Sequence, residues 1–283
     1  MNNHRHLTGD LLLIGVTAIW GMTFVVIKNA LGAISPFFFN ALRFMLAALF
    51  LLVFSLSRKQ SFSKKLIRKG GLVGLALFGG YSFQTIGLKY TTASNAGFIT
   101  GLSVVIVPLL TCLLDKRRLS SFAWLGVGTA TLGLAFLSLK QGLKLNLGDP
   151  LVLLCAFCFA LHMLLVDRYI KDFPTLPFVT VQIGTVALAS LILGLLTETP
   201  PQVSLSIWRD LFFTAFFATF LAYLIQNWAQ QFTTPTRTAI ILAAEPVFTL
   251  LFATLWLKEK VAGIDLAGAV LMLTGILLVE LKS

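Results

Sequence analysis

The chain has 283 residues, 57% of them hydrophobic and 12% charged, and a formal net charge of +11. A soluble domain carries about 25% charge, so with a mean hydropathy of +0.90 the composition excludes a water-soluble globule and points to an integral membrane protein. The excess positive charge lies in short loops between apolar runs, as membrane topology requires, which leaves a nucleic-acid partner without support.

A helix needs about 20 apolar residues to cross the hydrocarbon. Ten such runs are predicted, at roughly 11–30, 36–56, 70–88, 95–114, 121–139, 150–168, 176–196, 208–228, 237–257 and 262–281. His4-Arg5-His6 before the first run imitates a signal peptide, but the run continues past Trp20 to Ala30 with no small-x-small cleavage site, so it reads as a retained spanning helix. Ser35-Pro36, Gly148-Asp149-Pro150 and Pro174 to Pro177 mark breaks between runs. Asp10 and Asp149 sit where a helix N-terminus favours negative charge. Cys155 and Cys158 form a C-x-x-C inside an apolar run with no second pair, which reads as packing rather than a metal or redox site.

With the N-terminus inside, Lys and Arg divide 14 to the inner ends and 7 to the outer, with Arg43 left within a run. Both termini are therefore expected on the cytoplasmic side of the cell membrane.

One stretch occurs twice. At an offset of 142 residues, Ala76, Phe78, Tyr81, Gln84, Thr91, Thr92, Ile99, Gly126 and Gly133 each meet an identical residue, among them Tyr223, Gln226, Thr233, Thr234, Gly268 and Gly275. At an offset of 139, Gly9-Asp10 meets Gly148-Asp149, Trp20 meets Phe159, Thr23 meets His162 and Arg43 meets Gln182. The chain reads as a duplication, 1–140 and 141–283. Each copy holds five runs, and five is odd, so the second copy enters the membrane from the opposite side. The predicted fold is all-α, ten transmembrane helices in two inverted five-helix repeats around a central cavity. Secondary transporters use this plan, with the substrate near the midplane where the halves meet.

Several motifs resemble those of the drug/metabolite transporter superfamily, EamA type. They are Ala18-Ile19-Trp20-Gly21-Met22-Thr23-Phe24, Pro36 with Arg43, Leu88-Lys89-Tyr90-Thr91-Thr92-Ala93 with Ala96 and Pro108, and Ala244-Glu245-Pro246-Val247-Phe248. The resemblance covers nearly the whole chain. It implies a basket of ten helices moving small metabolites across the cytoplasmic membrane, often outward, with amino acids or related compounds as the substrate class. It also implies that helices 1, 3, 4, 6, 8 and 9 line the cavity while 5 and 10 lie apart. Gly126, Gly133, Gly268 and Gly275 then read as packing faces.

The residues that carry chemistry are few. Glu245 is the one carboxylate well inside a predicted helix, and Pro246 after it removes a backbone donor. It reads either as a substrate or ion site or as a structural, hydrogen-bonded group. Arg43 reads as the partner of Glu245, as a contact for a substrate carboxylate, or as a structural donor to helix carbonyls. Tyr81 with Gln84, and Tyr223 with Gln226, share a helix face at i, i+3 spacing. Gln84, Gln226 and Asn95 are expected to orient the substrate, although each buried amide equally suits a bond between helices, as do Asn40, Gln182 and Asn227. Trp20 and Phe24, with Phe83 and Phe98, suit an aromatic wall. His162 pairs with Thr23 by the symmetry of the repeat, and it reads either as a proton carrier or, more often for one buried His, as a hydrogen-bonded group.

No P-loop or H-E-x-x-H motif is present, so neither ATP-driven transport nor metalloprotease chemistry is expected. The related small multidrug resistance family couples protons through a helix 1 glutamate, and this chain has only Asp10 at the end of that helix. The expected partners are a small-molecule metabolite and the lipid bilayer, in a monomer or weak homodimer, with no cofactor, no metal and no enzymatic activity. A flippase for a lipid-linked headgroup and a non-transporting sensor or scaffold are the alternatives.

Overall fold

The computed structural model describes residues 2–114, 116, 119–139, 146–248, 251 and 263–280, and every regular element among them is helical. In chain order these are α1 (Asn2–Ala30), α2 (Pro36–Ser57), α3 (Lys64–Tyr90), α4 (Ala93–Gly101), α5 (Ser103–Leu114), α6 (Ser121–Leu139) and α7 (Asp149–Tyr169). There follow α8 (Thr175–Thr197), α9 (Leu205–Ala215), α10 (Ala222–Ala229), α11 (Pro235–Leu242) and α12 (Gly263–Glu280). A turn of wider, π-type winding, Phe216–Leu221, joins α9 to α10.

Seven stretches are long and apolar enough to cross a membrane, and Ser121–Phe136 and Leu266–Leu278 are shorter apolar helices. The predicted run 237–257 lies partly outside the described residues, as do the loop cations Arg117, Arg118, Lys140, Lys144, Lys258, Lys260 and Lys282. Outward-facing side chains such as Leu49, Val53, Leu188, Leu195 and Leu266 are exposed, which suits contact with lipid, since the helices satisfy their backbone groups internally.

Two predicted runs are not continuous. The fourth breaks between α4 and α5 at Leu102, and the ninth breaks after α11 at Ala243-Ala244 before helix resumes at Glu245. Leu102 and Ala244 are equivalent at the 142 offset. Gly101 precedes the first break, and Pro246, which cannot donate to a carbonyl of the preceding turn, follows the second. Asp10 also differs from expectation. The first helix begins at Asn2, so Asp10 stands about two turns inside it rather than at its start. Asp149 is the first residue of α7.

Small residues let the helices touch backbone to backbone. A Cβ on Gly74 of α3 would stand 2.7 Å from the Gln182 carbonyl of α8, and one on Gly87 would stand 2.7 Å from Val152 Cγ2 of α7. In α6, a Cβ on Gly133 would meet the Gly268 carbonyl at 2.6 Å; in α12, one on Gly275 would meet the Gly126 carbonyl at 2.7 Å. The low-numbered end of α6 thus meets the high-numbered end of α12, so the two run antiparallel, and each contact is the counterpart of the other. The start of α2 is tied to the end of α8 by Glu198, which accepts from Ser35 Oγ at 2.7 Å and from the Phe37 and Phe38 amides at 3.0 Å. A carboxylate there satisfies donors that the first turn of a helix leaves free.

The duplicated Thr-Thr pair has a local cause. Thr92 accepts from the Asn95 amide at 3.0 Å and caps α4, and Thr234 accepts from the Arg237 amide at 3.2 Å and caps α11.

Candidate functional site

The helices line a cavity with about 60 Å³ of interior space. Its walls follow from helix periodicity. On α1, Trp20, Thr23, Phe24 and Ile27 recur every three or four residues and so form one stripe. The same spacing on α7 brings Phe159, His162 and Met163 to the cavity, the counterparts of Trp20, Thr23 and Phe24. Tyr81 and Gln84 come from α3, and Tyr223 and Gln226 from α10. Arg43 enters from α2. Both helix breaks reach the lining, one through Gly101 and Ser103 and the other through Ala243, Glu245 and Pro246. Ile27 and Gly97 also line the cavity, whereas their counterparts Val166 and Ala239 are fully buried outside it. The space is therefore displaced toward the C-terminal end of α1.

At the centre, Tyr223 OH donates to Tyr81 OH at 2.9 Å. Trp20 packs on Tyr223 with ring centroids 5.6 Å apart, and Phe159 packs on Tyr81 at 5.2 Å, again as counterparts. Gly80 makes room for Phe159, since a Cβ there would lie 2.4 Å from Phe159 Cδ1. Trp20 is fixed by its Nε1, which donates to the Ala218 carbonyl at 2.9 Å in the π-wound turn. Such turns recur at functional sites. Thr23 donates to the Trp20 carbonyl at 2.8 Å.

Arg43 is 1% exposed. Its Nε donates to Thr219 Oγ1 at 2.7 Å, and its Nη2 donates to the Ala218 carbonyl at 3.3 Å and to Tyr81 OH at 3.4 Å. The guanidinium carbon lies 4.8 Å from the centre of the Tyr81 ring and 5.2 Å from that of Phe44. Arg43 is thus given to these groups rather than to Glu245.

The buried amides fall into two sets. Gln182 contacts His162 Nε2 at 3.0 Å and donates to Asn227 Oδ1 at 2.9 Å, and Asn227 donates to the Tyr223 carbonyl at 3.0 Å. Asn40 donates to the Tyr81 carbonyl at 3.3 Å. These three amides hold the tyrosine helices from behind and do not line the cavity. Gln84 and Gln226 do line it. Gln84 reaches Thr100 Oγ1 at 3.5 Å, and Gln226 donates to Gln230 Oε1 at 3.3 Å.

Of the residues singled out from sequence, Trp20, Thr23, Phe24, Arg43, Tyr81, Gln84, His162, Tyr223, Gln226, Glu245 and Pro246 meet around this one space. Asn95 stands apart, with its Nδ2 3.4 Å from Asp149 Oδ2 at the start of α7. Phe159, Met163, Thr100 and Ser103 were not singled out as site residues. The first two were within reach through the 139 offset, because they are the counterparts of Trp20 and Phe24. Thr219, which anchors Arg43, has Leu77 as its counterpart, so the repeat gave no signal for it. Among the described residues, no three His, Cys, Asp or Glu stand together in a way that would hold a metal ion.

The model of the EamA-like transporter family matches the chain twice, over residues 7–139 and 146–281. The chain belongs to the EamA-like transporter family. An uncharacterized transporter of Archaeoglobus fulgidus is 38% identical over 283 residues, covering 98% of this chain and 87% of that protein. A probable amino-acid metabolite efflux pump of Escherichia coli is 26% identical over 279 residues, covering 92% of this chain and 91% of that protein. A solved crystal structure superimposes with a TM-score of 0.80 at 19% identity, covering 98% of this chain and 99% of the other, and so shares the fold. An EamA-like protein with several apolar spanning helices is a multi-pass membrane transporter of the drug/metabolite superfamily.

Proposed function

We propose that this protein is a secondary transporter of small organic metabolites, with amino acids or related compounds as the substrate class and export as the direction. It works by alternating access between two inverted halves, 1–140 and 141–283, each with five spanning helices. It acts as a monomer or weak homodimer in the cytoplasmic membrane with both termini inside. The observation that carries this reading is the Tyr223–Tyr81 hydrogen bond. Two residues that are equivalent in a repeat touch one another only on the axis relating the halves, and this pair lies in the cavity wall. The reciprocal glycine contacts of α6 and α12 support the same axis, as do the helix breaks at Leu102 and Ala244. Discontinuous helices at a repeat interface are where transporters place substrate.

In this reading Trp20, Phe24 and Phe159 form the apolar wall. Gln84, Thr23 and His162 orient the substrate, and Glu245 with Pro246 supplies charge at the break. Asn95 acts at the end of the cavity, through Asp149, rather than on the substrate. The test is counterflow in proteoliposomes across a panel of amino acids and related metabolites. Exchange of at least one compound is expected, reduced about tenfold or more in Glu245→Gln or Gln84→Ala, the loss of one buried polar contact. Exchange that both variants support at the wild-type rate removes these residues from the site. Absence of any exchange removes the transport reading.

A further inference from the structure

Arg43 and Gln226 each hold a polar atom in the cavity wall that is fixed in place and left unused. Among the described residues, Nη1 of Arg43 and Oε1 of Gln226 are buried without a hydrogen-bond partner. Both residues line the cavity, and they are 1% exposed in each case. Buried polar groups are nearly always paired, so an orphan in a cavity wall marks a place where something else binds.

Neither atom is an orphan by loose placement. Arg43 is clamped on its other side by Thr219, the Ala218 carbonyl and Tyr81. Thr219 is itself held, donating to the Thr214 carbonyl at 2.8 Å. Every one of these partners is neutral, and none of the ion pairs among the described residues includes Arg43. A guanidinium in this setting lacks an anion, and uncompensated buried charge is costly. The amide of Gln226 is oriented by its neighbours. Gln230 Nε2 donates to the Met163 carbonyl at 3.1 Å, which leaves Gln230 Oε1 as an acceptor and obliges Gln226 to present its NH2 there. Its oxygen is therefore the end left over.

The two orphans are of opposite sense. Nη1 requires an acceptor, and a carboxylate suits both its charge and its planar fork. Oε1 requires a donor, and Glu245 brings its carboxyl group to the same lining. Arg43 adjoins the α10 face that carries Gln226 through Tyr81, whose OH accepts from Arg43 Nη2 and from Tyr223 OH. The remaining wall is aromatic, with Trp20, Phe24 and Phe159.

We infer that Arg43 and Gln226 read the polarity of the substrate: Arg43 Nη1 takes the carboxylate and Gln226 Oε1 the ammonium of an amino acid with an apolar side chain. The inference rests on the transport reading above and specifies which end of the substrate each half recognises. The α2 residue of the first half binds the acid, and the α10 residue of the second half binds the amine.

The test uses the full-length protein in proteoliposomes with four probes that share one ring: phenylalanine, phenylalaninamide, phenethylamine and hydrocinnamate. Phenylalanine is expected to exchange. The amide and the amine, which keep the nitrogen and lose the carboxylate, are expected to exchange about tenfold or more weakly, the loss of one charge-assisted bond. Hydrocinnamate, which keeps only the carboxylate, is expected between them. Arg43→Gln lowers phenylalanine to the level of the amide, and Gln226→Leu narrows the gap between phenylalanine and hydrocinnamate. Because Arg43 is buried, Arg43→Lys is run beside it, and the analogue series on the unmodified protein needs no variant at all. The inference is overturned if phenylalaninamide exchanges as well as phenylalanine, if phenylalanine does not exchange, or if a folded Arg43 variant keeps the carboxylate preference. Exchange of other amino acids alongside any of these results leaves the transport reading standing. No exchange of any amino acid or related metabolite removes both.

Discussion

At the α1/α11 end, Asp10 accepts from Arg237 Nη2 at 2.6 Å in a buried ion pair, the two side chains 5% and 12% exposed. At the α7/α4 end, its counterpart Asp149 accepts instead from neutral groups: Thr91 Oγ1, the Asn146 amide at 2.8 Å and Asn95 Nδ2 at 3.4 Å. Arg237 and Asn95 are themselves counterparts. The Thr-Thr pair serves both ends as a helix cap, but only Thr91 reaches its aspartate; the hydroxyl of its counterpart, Thr233, has no hydrogen-bond partner among the described residues. The helix boundaries explain the difference. Asp149 opens α7, where the helix dipole favours negative charge and neutral donors suffice. Asp10 is about two turns into α1, beyond the reach of that dipole, and takes a full counter-charge.

The two ends are far apart. Lys28, late in α1, donates to the Leu88 and Thr91 carbonyls next to the start of α4, and Asp10 to Lys28 spans about 27 Å of helix, close to the hydrocarbon thickness of about 30 Å. One end is therefore held by a direct ion pair, and the other by hydrogen bonds from neutral groups to Asp149 with Lys28 on the carbonyls beside it, on opposite sides of the cavity.

Substitutions at either end test this difference. The largest effect is expected for Arg237→Asn, which installs the residue of the other end. It leaves Asp10 buried without its cation and should cost about 3 kcal/mol, read as a lowered melting temperature in detergent. The same variant should speed thiol labelling of a cysteine placed at Thr17, whose hydroxyl lies 3.4 Å from the Ile241 carbonyl of α11. Unchanged stability and labelling would mean that the ion pair does not hold this end. Gly148→Ala comes next. Its Cβ would stand 2.2 Å from the Gly87 carbonyl, a backbone atom that has no rotamer to change, and overpacking of this kind costs about 1–3 kcal/mol. Asn95→Ala should cost about 1 kcal/mol, since Thr91 and Asn146 still hold Asp149. Gly9→Ala, the counterpart of Gly148→Ala, is expected to cost nothing measurable. Its Cβ would meet Ala229 Cβ at an ordinary 3.4 Å, and Ala favours helix over Gly. A melting series that ranks Gly9→Ala with Gly148→Ala would show that the two ends pack alike, contrary to the distances.

Much of the site was legible because helical spacing is a local property. Trp20, Thr23 and Phe24 had to share a face of α1, and Tyr81 with Gln84 a face of α3, once those runs were helices. The repeat then carried the same faces to α7 and α10. Asn95 stands outside the cavity lining for a nonlocal reason: its one-turn offset from Thr92 places it at the cap of α4, where the nearby carboxylate of α7 engages it. Thr219 and the Ala218 carbonyl were invisible, because a π-wound turn has no counterpart in α3 and no signature in the apolar stretch that contains it.

What the sequence determined by itself was the solvent, the helical class, the duplication and the family motifs. Each depends on composition or on spacing along one chain. Tertiary structure alone decided how the polar groups were shared. Arg43 went to Thr219, Ala218 and Tyr81; Gln182, Asn40 and Asn227 were consumed between helices; and Arg43 Nη1 and Gln226 Oε1, on residues that line the cavity, were left without a partner. Hydrogen bonds saturate, so which buried donor meets which acceptor depends on every neighbour at once, and a linear pattern does not encode that allocation.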